Sequence, residues 1–278
     1  MTLAVFLAVL GAALLHAGWN ALIKQGLDKH SAMTILTLGH TGCGLAVVLA
    51  FPLPVAEVWP WLIASALIHA AYQLFLTLAY QQGDLSAVYP LARGAAPLIV
   101  LAVSAACLPD RLTLAEGLGV VLLGLGLMVM IGGALRRVAA RRMVPFALGA
   151  ALATAGYTLV DGLGARVWGV PLAYVGWLML LSGAVYAPMM LAWHGRAVLT
   201  PGPRGWALGL VAALASFSAY AIAVWAMTQA PIALVGALRE ASILFAVVIG
   251  WWAFGERVDA ARLAGAGLIL LGLVVTRL

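Results

Sequence analysis

The 278-residue chain is 65% hydrophobic, 9% charged and carries a formal net charge of +6. Soluble domains are about 25% charged, so this composition cannot cover a water-facing surface, and lipid is the expected solvent. The basic excess sits at the ends of apolar stretches, where it orients a chain in a bilayer, and so it does not indicate a nucleic-acid partner.

A helix crossing the hydrocarbon needs about 20 apolar residues. Ten stretches approach that length, over residues 2–23, 31–51, 60–80, 85–107, 112–133, 145–163, 171–192, 205–227, 232–254 and 260–277. Their apolar character is continuous rather than alternating, which points to helices and away from a β-barrel. The expected class is therefore an all-α integral membrane protein with ten transmembrane helices.

The first stretch has no basic residues ahead of it and runs into His16–Ala17–Gly18–Trp19–Asn20, so it reads as a retained span rather than a cleaved signal. His16 and Asn20, one helical turn apart, share a face beside Trp19. His40, alone in the second stretch, reads as a hydrogen-bonded interior histidine. Cys43 and Cys107 read as small packing residues. On the third stretch His69 and Gln73 repeat the one-turn spacing, with Tyr72 beside them. On the fourth, Tyr89 and Arg93 do the same. Pro90 and Pro97 flank Arg93 and each removes a backbone donor. The fourth helix is thus expected to be more irregular than the ninth, which Pro231 merely opens. In the fifth stretch Gly117 and Gly124, and Gly119 and Gly126, are two turns apart, a pattern that lets helix backbones approach closely in lipid.

The basic segment around Arg136, Arg137, Arg141 and Arg142 divides the chain. Residues 1–134 form a first five-helix repeat, 135–144 a linker and 145–278 a second repeat. On the sixth stretch Tyr157 and Asp161 share a face. The ninth holds Arg239 and Glu240, and the tenth repeats the glycine interval with Gly265 and Gly272. Trp59, Trp61, Trp168 and Trp206 lie near stretch ends and read as interfacial residues. Tyr220 and Trp225, further inside, are suited to packing or to holding a cation on a ring face.

Shifting residues 91–132 by 146 places them on 237–278: Arg93 meets Arg239, Asp110–Arg111 meets Glu256–Arg257, Gly119 meets Gly265 and Gly126 meets Gly272. An odd number of helices per repeat sends the second copy into the membrane from the opposite side, so inverted repeats are expected. Lys24, Lys29, Arg136, Arg137, Arg141, Arg142, Arg196, Arg204, Arg257 and Arg262 fall on one side, against Arg111, Arg166 and Arg277 on the other. That bias predicts a cytoplasmic linker and both termini outside.

A charge at the bilayer centre costs about 2.5–3.5 kcal/mol on insertion scales, so Arg93, Arg239 and Glu240 need internal partners or a wet cavity. Arg239 and Glu240 are neighbours and point about 100° apart on a helix. One is expected to face a cavity while Glu240 meets Arg93, or a polar group of the sixth helix, across the repeat interface. Asp161 and Glu240 are the candidate proton-coupling carboxylates. No His/Cys/Asp/Glu grouping has metal-ligand spacing and no nucleophile motif occurs. No metal, cofactor or enzymatic activity is expected, and the oligomeric state is open.

Two five-helix halves, an intramembrane Arg in the fourth helix of each, and an acid–Arg pair before each glycine-rich fifth helix resemble the EamA family of the drug/metabolite transporter superfamily. Leu15–His16–Ala17–Gly18–Trp19–Asn20–Ala21–Leu22–Ile23–Lys24 is similar to the opening of such members. Leu238–Arg239–Glu240, Gly255–Glu256–Arg257 and Gly265 are similar to the close of their second repeat. Pro109–Asp110–Arg111 departs from the usual Gly–Glu–Arg. The resemblance implies a multi-pass carrier of the bacterial inner membrane, exporting a small metabolite through a central cavity. The candidate substrate residues are His16, Trp19, Asn20, His69, Tyr72, Gln73, Tyr89, Arg93, Tyr157, Arg239 and Glu240. Arginine favours a carboxylate or phosphonate and the aromatics an amino or apolar part, so an amino acid or related zwitterion fits both. An organic-cation carrier, with both arginines consumed internally, and a scaffold without a cavity are the alternatives.

Overall fold

The structure, a computed structural model, describes residues 1–24, 29–82, 85–131, 142–255 and 258–278. These residues form helices and, among them, no strand. The helices are α1 (Leu3–Lys24), α2 (Lys29–Ala50), α3 (Trp59–Gln82), α4 (Leu85–Cys107), α5 (Leu114–Ile131), α6 (Val144–Trp168), α7 (Pro171–His194), α8 (Pro203–Gln229), α9 (Ile232–Arg239), α10 (Ser242–Phe254) and α11 (Ala260–Val275). Among the described residues seven helical stretches are long and apolar enough to cross a membrane, one of them Ile232–Ala253 across α9 and α10. Three shorter apolar helices, Leu91–Cys107, Leu114–Met130 and Ala260–Val275, complete ten. The chain is a multi-pass integral membrane protein. Side chains such as Leu49, Leu114 and Trp252 are exposed around its outside, as a lipid-facing surface requires. Most of the linker 135–144 lies outside the described residues, as do Glu256 and Arg257.

Two features differ from the sequence expectation. α6 continues to Trp168, five residues past the apolar stretch, because Arg166 in its last turn finds partners. The predicted irregularity of the fourth helix is also overturned. α4 runs unbroken through Pro90 and Pro97, whereas the ninth span breaks between α9 and α10. At the break the amides of Glu240 and Ala241 bond to the carbonyls of Ala237 and Leu238, three residues back, each at 3.0 Å. Glu240, at the break, reaches α4, and Arg239, just before it, reaches α8. Irregular backbone is tolerated at membrane depth only where protein covers it. Here Ile232, Ala233, Leu234, Val235, Ala237 and Leu238 are fully buried, and Glu240 and Ala241 nearly so.

The glycine pattern resolves into close seams. α5 and α11 pack face to face. A Cβ on Gly119 would meet Gly272 O at 2.8 Å, and one on Gly126 would meet Gly265 O at 2.7 Å. The contacts run in opposite chain directions, so these helices are antiparallel. Gly124 instead faces Leu98 of α4, and Gly117 faces open space. α2 and α7 form a similar antiparallel seam, with Gly44 against Gly176 and Thr41 against Gly183. The two halves exchange matching contacts, α3 with α6 and α1 with α8.

Gly126→Ala should lower the unfolding midpoint in detergent, because backbone stands where the methyl must go; an overpacked site costs about 1–3 kcal/mol. Gly117→Ala, with nothing within 4 Å, should be neutral or stabilising by up to about 1 kcal/mol.

Candidate functional site

The centre of the molecule is polar. Arg93 of α4 and Glu240 at the break are both buried, 5% and 4% exposed. Arg93 Nε donates to Glu240 Oε2 at 3.1 Å, and Nη2 to Oε1 at 2.8 Å. This two-point bond satisfies both carboxylate oxygens and joins the halves across 147 positions of sequence. A pocket beside it is lined by Arg93, Pro97, Thr154, Tyr157, Thr158, Gly236, Arg239 and Glu240, with room for about one water molecule.

Arg239 leaves the break on the other side. Its guanidinium lies over the Tyr220 ring of α8, 5.1 Å from the centroid. Among the described residues no carboxylate lies within ion-pair distance of it. The Tyr220 hydroxyl donates to Asp161 Oδ2. The hydroxyl of Tyr174, wholly buried, donates to Oδ1 at 3.1 Å. Asp161 is itself fully buried, and nearby on α3 Ser65 Oγ lies 3.2 Å from His69 Nδ1. One tyrosine thus stands between a guanidinium on its face and a carboxyl group at its hydroxyl.

Around them stands an aromatic cluster. His69 stacks on Tyr157 with centroids 4.2 Å apart, and meets Tyr220 edge-on at 6.1 Å. Tyr72 meets Tyr157 edge-on at 5.8 Å. His16 lies near enough to Arg93 and Arg239 to feel both charges.

The structure therefore gathers His16, His69, Tyr72, Arg93, Tyr157, Arg239 and Glu240, with Asp161, into one region. Trp19 and Asn20 serve His16 instead. The indole Nε1 donates to His16 Nδ1 at 3.3 Å and the amide to the His16 carbonyl at 2.8 Å. Trp19 also packs against the apolar cluster of Leu36, Ala212 and Ala213. Gln73 turns to a separate pocket between α3 and α7. The Tyr89 side chain lies outside the described residues. His40 was expected to be hydrogen-bonded, yet its Nε2 is buried without a partner among the described residues. Trp59, Trp61 and Trp168 pack against the cluster around Tyr174 and Leu178. No metal-holding group of three His, Cys, Asp or Glu occurs among the described residues.

Sequence reasoning missed Ser65 and Tyr174, which carry no pattern beyond ordinary helix residues. It also missed a clamp at one end of the bundle. Arg166 donates to both Asp110 oxygens, at 2.7 and 3.0 Å, and to the carbonyls of Met227 and Ala230 at 2.8 and 3.0 Å. The Ile232 amide donates to Asp110 Oδ2 at 3.0 Å. The end of α6, the α4–α5 turn, the end of α8 and the start of α9 are tied at one point. Burial pushes the Asp110 carboxyl up, but the Arg166 hydrogen bonds, the Ile232 amide and the Arg166 charge outweigh it and hold the carboxyl below its ordinary range.

Comparison with known proteins then adds the lineage. The profile of the EamA-like transporter family matches residues 3–132 and again 141–278. No curated protein sequence matches the chain. A solved structure described as "Crystal structure of protein" is similar at 19% identity, over 99% of this chain and 98% of that one, with a TM-score of 0.79. In all, 29 solved chains match. Similarity at this identity shows the fold.

Glu240→Gln leaves the Arg93 charge buried without its counter-ion, so thermal unfolding should show a loss of about 3–5 kcal/mol. Replacing both partners by Met should recover most of it, because no unpaired charge remains. A depressed carboxyl stabilises the fold above the ordinary carboxylate range and loses that contribution as pH falls through its folded value. Wild type should therefore lose stability over that acidic window relative to Asp110→Asn, and unfolding midpoints followed against pH for both proteins should converge.

Proposed function

The chain belongs to the EamA-like transporter family, and from that premise we propose that it is a secondary transporter of a small zwitterion, an amino acid or close relative. It works by alternating access between inverted repeats. The observation that carries the substrate class is the Arg239–Tyr220–Asp161 arrangement: a guanidinium without a carboxylate partner among the described residues, held by one ring from a buried carboxylate. A substrate carboxylate would pair with Arg239 through two parallel hydrogen bonds. Its ammonium would meet Asp161 and the faces of Tyr157 and Tyr220. His16, His69 and Tyr72 would shape the remaining wall. The pocket is about the size of one water molecule, so the site must widen toward one side and then the other to take a substrate.

Inverted repeats find support in the antiparallel packing of α5 on α11, the pair matched by the 146-residue shift. A break in the ninth span at the repeat interface is also a common way for carriers to expose backbone at a mid-membrane site. The Lys and Arg bias supports a cytoplasmic linker and both termini outside. The family resemblance favours efflux across a bacterial inner membrane. The organic-cation reading needs both arginines consumed by internal pairs. Arg93 is so consumed, but Arg239 rests on a ring, which favours the zwitterion.

A ligand that binds only the folded state raises its stability, by about 2.7 kcal/mol at a hundred times its dissociation constant. In a panel of amino acids, phosphonates and quaternary amines, zwitterionic amino acids should raise the unfolding midpoint. Their decarboxylated amines should not, and Arg239→Gln should fold yet lose the shift. Stabilisation by quaternary amines alone would replace this reading with the cation carrier. No shift with any class, together with no uptake of the same compounds into proteoliposomes, would favour the scaffold.

A further inference from the structure

A threonine inside a helix has an ordinary outlet for its hydroxyl, the carbonyl one turn back on the same helix. Thr37, Thr41, Thr77 and Thr158 each use it, donating to the carbonyl four residues earlier at 2.7–2.9 Å. Thr154 of α6 does not. The residue is 5% exposed, and its Oγ1 is buried with no hydrogen-bond partner among the described residues. Such a hydroxyl has given up water without replacement, which is costly.

Thr154 lines the central pocket, together with Arg93, Arg239 and Glu240. Thr154 and Tyr157 lie three residues apart on α6 and share a face. Tyr157 lines the same pocket and also belongs to the aromatic cluster with His69 and Tyr220. The pocket is therefore continuous with the wall that holds Asp161. Its own charge is of the other sign. Glu240 is engaged at both oxygens by Arg93, and two guanidinium groups stand against that one carboxylate. Gly236 of α9 adds bare backbone to the lining and so keeps a side chain out of the space.

We infer that Thr154 is a substrate-binding residue, whose hydroxyl donates to the carboxylate that Arg239 pairs with. The inference rests on the zwitterion reading and adds to it a residue that neither charge nor spacing marks in the sequence. The pocket is the carboxylate end of the site, and Asp161 with the ring faces of Tyr157 and Tyr220 is the ammonium end.

The chemistry of a carboxylate suits this arrangement. Its two oxygens offer about four acceptor positions. A two-point bond to Arg239 uses two of them and leaves others for a hydroxyl. A hydrogen bond to an ionised acceptor is roughly twice as strong as one between neutral groups, so the hydroxyl gains more from substrate than from the carbonyl of its own helix. In the conformation seen here the pocket has room for about one water molecule. As the site widens, a carboxylate oxygen takes the place such a water would occupy and accepts the bond it would accept.

Thermal unfolding of the purified full-length protein, titrated with the twenty standard amino acids, tests the assignment. Thr154→Val keeps the shape of the side chain and removes the hydroxyl. Without ligand its midpoint should equal or exceed that of wild type, because no protein contact is lost. With the amino acid that stabilises wild type most, its dissociation constant should be higher by about tenfold or more. Thr154→Ser keeps the hydroxyl and should bind within about threefold of wild type. A Thr154→Val protein that fails to fold, or unfolds well below wild type without ligand, would show that the hydroxyl supports the fold and would overturn the assignment. Equal dissociation constants in wild type and Thr154→Val, or a serine variant as weak as the valine one, would overturn it as well, with the zwitterion reading left standing. If no amino acid shifts wild type, the zwitterion reading itself fails and takes the carboxylate contact of Thr154 with it.

Discussion

A guanidinium and a carboxylate held in a hydrocarbon slab are each far from the water that would solvate them. Their separate burial is costly, and only a close, doubly hydrogen-bonded pair offsets it. Arg93 and Glu240 form such a pair, one on α4 and the other where the ninth span is interrupted. The bond fixes which face of α4 turns inward and where the backbone of the ninth span may depart from an α-helix. Because α9 is enclosed by protein, that departure carries no lipid-exposed backbone. With Glu240 turned to α4, Arg239 is left to lie over Tyr220, and Tyr220 in turn reaches Asp161.

The scaffold around this centre follows a different rule. Lipid offers no hydrophobic drive for helices to associate, so contact depth has to supply the attraction. The α5–α11 and α2–α7 seams do this with glycines that bring backbone against backbone. At one end of the bundle Arg166 gathers Asp110 and the ends of α8 and α9 through hydrogen bonds. Among the described residues buried hydrogen-bonding capacity is left unmet at several places, at Thr154 in the polar middle, at Gln73 and Ser182 between α3 and α7, and at His40, Ser104, Trp177 and Ser242. Such capacity is what a small polar ligand, or water, would use.

Much of this is legible in the sequence. The helix positions follow from apolar length, since hydrocarbon thickness leaves little freedom. The α5–α11 seam follows from glycines two turns apart that recur after 146 residues. That Glu240 needs a partner across the repeat interface follows from the cost of leaving it alone, and the structure chooses Arg93 over a polar group of the sixth helix. Other features left no trace. Pro90 and Pro97 suggested an irregular fourth helix, yet local backbone preference gave way to tertiary demand, and the ninth span broke where it contains no proline. Tyr174 belongs to the Asp161 cluster only because α7 brings it there. Arg166 looked like the polar end of a span until Asp110 and two helix ends were seen to surround it.

The sequence by itself determined the solvent, the number of spans, their doubling into two related halves and the few charges that must be reconciled inside. Those are matters of composition and one-dimensional spacing, set by the water–hydrocarbon free-energy difference. The tertiary structure alone decided how the charges were shared: Arg93 bound to Glu240, Arg239 laid on an aromatic ring, and Asp161 surrounded by hydroxyls. Hydrogen bonds and ion pairs depend on distances of a few ångströms between residues far apart in the chain, and only packed helices fix those distances.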